Sequence, residues 1–183
     1  MDRGATLMRR RLIVRSNRGF TIIELLVVVA ILSILLAFVI SITSAARKGM
    51  RNTTCLNNLR AIGLGFAVYA QENKTFFPEP ALADKSWEQL LRPHYGGSYE
   101  CPSDGELAPT LGSSYDWRDT GNFQTTFAGK SSQSVAPSSA VLAFESLSGW
   151  HAKGKLNVVR LDGSAASMVD TDCYRELAGA FRP

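Results

Sequence analysis

One uncharged run near the N-terminus constrains this chain more than any other feature of its sequence. Residues 25–46 read LLVVVAILSILLAFVISITSAA, and these 22 residues include no charged side chain. An α-helix needs about 20 apolar residues to cross the hydrocarbon core of a bilayer. We therefore predict that residues 20–46 form a single membrane-spanning helix.

Positive charge is concentrated ahead of this run. Residues 1–19 carry six arginines and one aspartate, whereas the rest of the chain has a net charge of −1, within an overall charge of +4. By the positive-inside rule, the N-terminus stays in the cytoplasm and the domain after the run lies outside. Beyond residue 19 the chain lacks the basic surface of a nucleic-acid-binding protein, so we expect no nucleic-acid partner.

Two ordinary interpretations of the run leave something unexplained. A cleaved secretory signal peptide would have an apolar core of only about 7–15 residues, although Ser44, Ala45 and Ala46 resemble its small-residue cleavage site. A plain membrane anchor accounts for the length but not for Glu24. A carboxylate within a membrane segment costs at least about 2.5 kcal/mol at the helix centre, and less near the end.

A third interpretation takes Gly19, Phe20 and Glu24 together. The stretch RGFTIIELLVVVAI, from Arg18 to Ile31, resembles the N-terminal signature of type IV pilins and type II secretion pseudopilins. In that family, a prepilin peptidase cuts after the glycine and methylates the new N-terminal residue. The resemblance implies cleavage between Gly19 and Phe20, N-methylation of Phe20, and a role for Glu24 in filament assembly.

The charges of the chain are consistent with this processing. Cleavage after Gly19 removes all six leading arginines and leaves a cationic amine on Phe20. Glu24 lies four residues later, on the same helix face, and can neutralise that amine within its own chain. In a filament the same carboxylate can instead pair with the amine of a neighbouring subunit, which offsets the cost of burying both charges.

The helix is predicted to continue beyond the apolar run to about Glu72. Apolar residues recur there at helical spacings of three and four, at Leu56, Leu59, Ile62, Phe66 and Tyr69. Glycines 63 and 65 on this segment indicate close packing against a sheet.

The remaining residues indicate mostly sheet. We predict a short helix capped by Ser86, strands over 140–145, 156–161 and 164–169, and a terminal helix over 171–181. The predicted hairpin has a type I′ turn at Asp162-Gly163. Residues 74–84 and 112–139 are assigned to loops, the latter with short strands. The fold class is α+β and pilin-like, with a leader (1–19), a membrane or filament-core half-helix (20–46) and a head domain (47–183).

A second resemblance runs through the head domain. Its motifs, in order, are CLNNLR from Cys55, CPSD from Cys101, Phe144-Glu145, His151 and Asp162-Gly163. They resemble pilin-like proteins with a C-terminal H-x9-DG element, although ten residues rather than nine separate the histidine from the aspartate here. Three single disulfide pairings are available to three cysteines. The resemblance favours Cys55–Cys101 and leaves Cys173 free, while free buried thiols are the alternative.

Few residues suggest chemistry. Glu145, His151 and Asp162 are weak candidates for a divalent metal site if they converge at one end of the sheet, and the resemblance makes calcium the ion to consider. In the alternative, Asp162 only forms the turn and His151 is a solvated loop residue. No set of nucleophile, base and orienting residue is clustered in the sequence. We expect a protein that is not an enzyme and needs no cofactor.

The predicted function is therefore structural. The chain is expected to be a single-pass protein of the bacterial inner membrane whose C-terminal domain is periplasmic. Its expected partners are a prepilin peptidase, other pilin-like subunits and an inner-membrane assembly platform. Secretion, adhesion and DNA uptake all use such filaments, and we expect a pseudopilus of the type II secretion kind. The alternative is an anchored binding module that never polymerises.

Overall fold

A helix of 51 residues, α1 (Ile22–Glu72), is the longest element of the computed structural model, which describes residues 19–135 and 137–179. The prediction of one continuous helix ending at Glu72 is confirmed. By length and composition, α1 is the one helix among the described residues that is able to cross a membrane. The chain divides into two units, one ending at Thr43 and one beginning at Ser44.

In the first unit, the described part of α1 is apolar on every side. Leucine, isoleucine, valine and phenylalanine side chains between residues 22 and 42 are all exposed. Ser33 and Thr43 interrupt this surface, but each hydroxyl donates a hydrogen bond to a carbonyl four residues earlier, on Val29 and Val39. These polar groups are thus satisfied within the helix, as an apolar environment requires.

In the second unit, α1 buries one stripe in the core. Leu59, Ile62 and Phe66 are fully buried, as the spacing predicted, whereas Leu56 and Tyr69 are only half-buried. A Cβ on Gly63 would lie 2.9 Å from a Val159 methyl group, which confirms its close packing on the sheet. Residue 65 packs differently, because a Cβ there would meet Tyr95 rather than a strand.

The sheet is an antiparallel meander of four strands in the order β1-β2-β3-β4. The strands are β1 (Tyr115–Trp117), β2 (Val141–Glu145), β3 (Lys155–Arg160) and β4 (Ala165–Val169). In the register, Phe144 lies opposite Val158, and Leu156 lies opposite Met168. A long helix followed by a small antiparallel sheet confirms the α+β, pilin-like fold class.

Helices lie on both faces of this sheet. On one face Val159 joins the core formed by α1, in which the Phe66 ring stacks on Trp87 at 5.7 Å and on Trp117 at 4.9 Å between centroids. On the other face Val158 packs with Cys173 of α5 (Asp170–Ala178). The predicted terminal helix is confirmed to Ala178, and its last two predicted residues lie outside the described residues.

The shorter helices show where sequence periodicity fails. Ser86 caps α3 (Trp87–Leu91) in a capping box with Gln89, as expected. The segment assigned to a loop at 74–84 instead contains α2 (Pro80–Ala83), and α4 (Leu107–Leu111) was not predicted. Helices of four or five residues span little more than one turn, so they carry no periodic signal.

The turn between β3 and β4 differs from the predicted type I′. Gly163 has a φ of +81°, but Asp162 does not have a positive φ. The N–H of Gly163 donates to the Arg160 carbonyl, and the N–H of Arg160 donates to the Ser164 carbonyl. This pattern belongs to a three-residue loop closed by a glycine bulge. The Asp162 carboxylate stabilises it by accepting from the N–H of Ser164 at 2.8 Å.

Candidate functional site

The bond between Gly19 and Phe20 lies in exposed, non-helical backbone just before α1. Apart from the residues adjacent in the chain, no described atom lies within 4 Å of the position that a Gly19 Cβ would occupy, and 83% of the Phe20 surface is exposed. The peptide bond is therefore open to another protein from this side. The rest of the predicted leader lies outside the described residues.

Glu24 has a partner that the sequence reasoning missed. Its Oε2 accepts hydrogen bonds from the Thr21 N–H at 2.9 Å and from the Thr21 hydroxyl at 2.7 Å. The Thr21 hydroxyl in turn accepts from the Glu24 N–H at 3.4 Å. This reciprocal arrangement is a capping box, and its signal is a threonine three residues before a glutamate at the start of an apolar run.

The second site is buried in the head domain. Cys55 on α1 and Cys101, in the segment after α3, form a disulfide with a Cα–Cα separation of 5.2 Å. His151 Nε2 lies 3.4 Å from Cys101 Sγ and 3.0 Å from Glu145 Oε1. The side chains of Glu145 and His151 are only 1% and 9% exposed, so four potential ligand residues meet away from solvent.

Asn157 holds Glu145 in this position. Its N–H donates to Glu145 Oε2 at 2.8 Å, and its side-chain amide donates to Oε1 at 3.0 Å and to Asn52 Oδ1 at 2.8 Å. Burial raises the pKa of Glu145, although the bonds from Asn157 and the adjacent His151 favour its charged form. Asn157 was not predicted as a site residue. Its sequence signal is a polar asparagine within the otherwise apolar strand segment LNVV.

Asp162 does not join the cluster. It lies in the turn beyond the far end of β3, whereas Glu145 is bound at Asn157 near the start of that strand. The end of β3 at Arg160 lies about 10 Å beyond Asn157, and Asp162 follows two residues later in the turn. The expectation that Glu145, His151 and Asp162 converge was therefore wrong for Asp162. The expectation of a solvated His151 was wrong as well.

The disulfide leads to a prediction about the purified full chain. Non-reducing peptide mapping should recover Cys55 linked to Cys101, and Cys173, buried in the core, as a free thiol. The cysteines are 46 residues apart, and closing a loop of that length stabilises the folded state by about 4 kcal/mol in the chain-entropy model. Recovery of three free thiols, or of a Cys173 link, would contradict the pairing.

Comparison with known proteins agrees with the first of the two sites. Residues 14–40 match the family model described as the prokaryotic N-terminal methylation motif. The matched range includes Gly19, Phe20 and Glu24. It does not extend to the head domain, whose resemblance to H-x9-DG proteins stays a prediction. No curated protein and no solved structure matches the chain. The chain thus carries the prepilin-type cleavage and methylation signal of type IV pilin-like proteins.

Proposed function

We propose that this protein is a pseudopilin, a structural subunit of a periplasmic filament that serves type II protein secretion. Prepilin peptidase cuts its precursor between Gly19 and Phe20 and methylates Phe20. An inner-membrane platform then assembles it with other pilin-like subunits. The observation that carries the proposal is the methylation motif at residues 14–40, together with the exposed apolar side chains of the first half of α1.

The exposed half of α1 supports the assembly step. A helix that is apolar all round requires a covering of lipid or of other apolar helices. Before assembly the bilayer supplies that covering, and within a filament the same half-helix of neighbouring subunits supplies it. One surface therefore suits both the anchored precursor and the assembled subunit.

The charges and cysteines support the proposed topology. The arginines of the leader hold the N-terminus in the cytoplasm. The domain after the membrane segment is then translocated to an oxidising compartment, where a disulfide such as Cys55–Cys101 persists.

Mass spectrometry of the mature protein tests the proposal. We expect an N-terminal peptide that begins at Phe20 and carries one additional methyl group, because the peptidase both cuts and methylates at that position. A terminus after Ala46 would instead identify a secretory signal peptide. An intact N-terminus in membranes that contain active prepilin peptidase would identify a plain anchor.

A further inference from the structure

The buried cluster of Cys55, Cys101, Glu145 and His151 brings together four side chains that commonly bind transition metals. One ligand atom from each residue lies within 4.8 Å of the ligand atoms of the other three. The residues come from α1, from the segment after α3, from the end of β2 and from the loop before β3. We propose that reduction of the Cys55–Cys101 disulfide converts this cluster into a tetrahedral zinc site.

The distances around His151 lie close to those of such a site. With Zn–S bonds of about 2.3 Å and Zn–N or Zn–O bonds of about 2.0–2.1 Å, adjacent ligand atoms of a tetrahedral centre lie roughly 3.3–3.8 Å apart. His151 Nε2 lies 3.4 Å from Cys101 Sγ and 3.0 Å from Glu145 Oε1, and Cys101 Sγ lies 3.9 Å from that oxygen. Reduction breaks the bond between the two sulfur atoms and lets them move apart.

The surroundings also suit a metal centre. His151 Nδ1 lies 3.5 Å from the Ser103 hydroxyl, and the other Glu145 oxygen accepts from the Asn157 N–H. Bonds of this kind orient zinc ligands and fix the histidine tautomer. Thiolate and imidazole ligands favour zinc over calcium, whose ligands are oxygen atoms.

An adjoining cavity gives the ion a way in. It has a volume of about 170 Å³, and both Glu145 and His151 line it. Two thiolates and a carboxylate carry one negative charge more than Zn²⁺ neutralises. Lys48 and Lys155 also line this cavity and supply compensating positive charge.

The chemistry requires a dithiol reductant. One of its thiolates attacks a cysteine sulfur to form a mixed disulfide, and its second thiol then displaces that cysteine. The reductant leaves as a cyclic disulfide, and Cys55 and Cys101 become thiols. Zinc binding converts both thiols to thiolates, so two protons are released for each ion bound.

The test uses the full-length protein in detergent micelles, reduced with excess dithiothreitol, freed of reductant without air and titrated with Zn²⁺ alone. We expect the reduced protein to bind one zinc, and the oxidised protein to bind none at the same concentration. Cobalt(II) in place of zinc should give a sulfur-to-cobalt charge-transfer band only after reduction. Equal binding in both redox states, or no binding by a reduced protein with native circular dichroism, would overturn the proposal.

Variants separate this site from adventitious binding. His151→Gln and Glu145→Gln should each weaken zinc binding by at least about tenfold. Replacing a residue that only hydrogen-bonds to a metal ligand already lowers metal affinity by about that factor. The matched controls are His94→Gln, which removes the other histidine of the chain, and Cys173→Ser, which removes the other cysteine. Both control variants should bind zinc with the affinity of the wild type. Zinc should also raise the thermal midpoint of reduced wild type, but not of reduced His151→Gln. Equal affinity in His151→Gln and His94→Gln would overturn the assignment of these ligands.

Discussion

Replacing Gly19 with glutamate should leave the chain uncut and anchored in the membrane with its arginine-rich leader attached. The open space around Gly19 shows that a larger side chain clashes with no described part of the chain, so folding should be unaffected. The peptidase, in contrast, must accept this residue next to the bond that it cuts, and a charged side chain does not fit a site built for glycine. Immunoblotting should show the processed fraction fall from nearly all of the protein to nearly none.

Gly49→Glu is the matched control for this experiment. Gly49 is also exposed on α1, it also has open space around its Cβ position, and the substitution changes mass and charge equally. We expect normal processing of this variant. Cleavage of Gly19→Glu at the same bond would show that the resemblance at Gly19 does not reflect recognition by a prepilin peptidase.

Replacing Glu24 with alanine should leave processing and insertion normal but should lower incorporation into filaments by about tenfold or more. Truncating one member of a buried ion pair leaves the other charge unpaired, at a cost of about 3–5 kcal/mol. In the proposed filament, that other charge is the methylated amine of Phe20 on an adjacent subunit. Co-expression of tagged variant and wild-type subunits, followed by isolation of filaments, measures the incorporated share.

The capping box offers a competing explanation, which two further variants test. Glu24→Gln keeps an oxygen that accepts from the Thr21 N–H but loses the charge. Thr21→Val keeps the charge but loses the hydroxyl that bonds Glu24. If charge pairing drives assembly, Glu24→Gln should behave like Glu24→Ala, and Thr21→Val should behave like the wild type. If Glu24→Gln instead behaves like the wild type and Thr21→Val behaves like Glu24→Ala, the role of Glu24 is to cap α1. Normal incorporation of Glu24→Ala would show that Glu24 has no role in assembly.

Local signals were sufficient for α1, the hairpin strands and the capped helix at Ser86. The uncharged run follows from its length and composition, and the stripe from Leu59 to Phe66 follows from the helix period. The hairpin strands are short, mostly apolar segments on either side of an Asp-Gly pair. The Thr21–Glu24 capping box is equally local. Its sequence signal was present, but the intramembrane charge of Glu24 suggested a different partner.

The tertiary structure decided which distant residues meet. Cys55 and Cys101 are 46 residues apart, and Asn157 reaches Glu145 only because β2 and β3 are paired in one particular register. The same register excludes Asp162 from the cluster, since β3 runs about 10 Å beyond Asn157 to Arg160 before the turn that contains Asp162. Short-range sequence patterns encode helix period, strand alternation and turn chemistry. They do not encode strand register or the seating of α1 on the sheet, which depend on packing of the whole core, and those two properties assemble the buried cysteine, glutamate and histidine cluster.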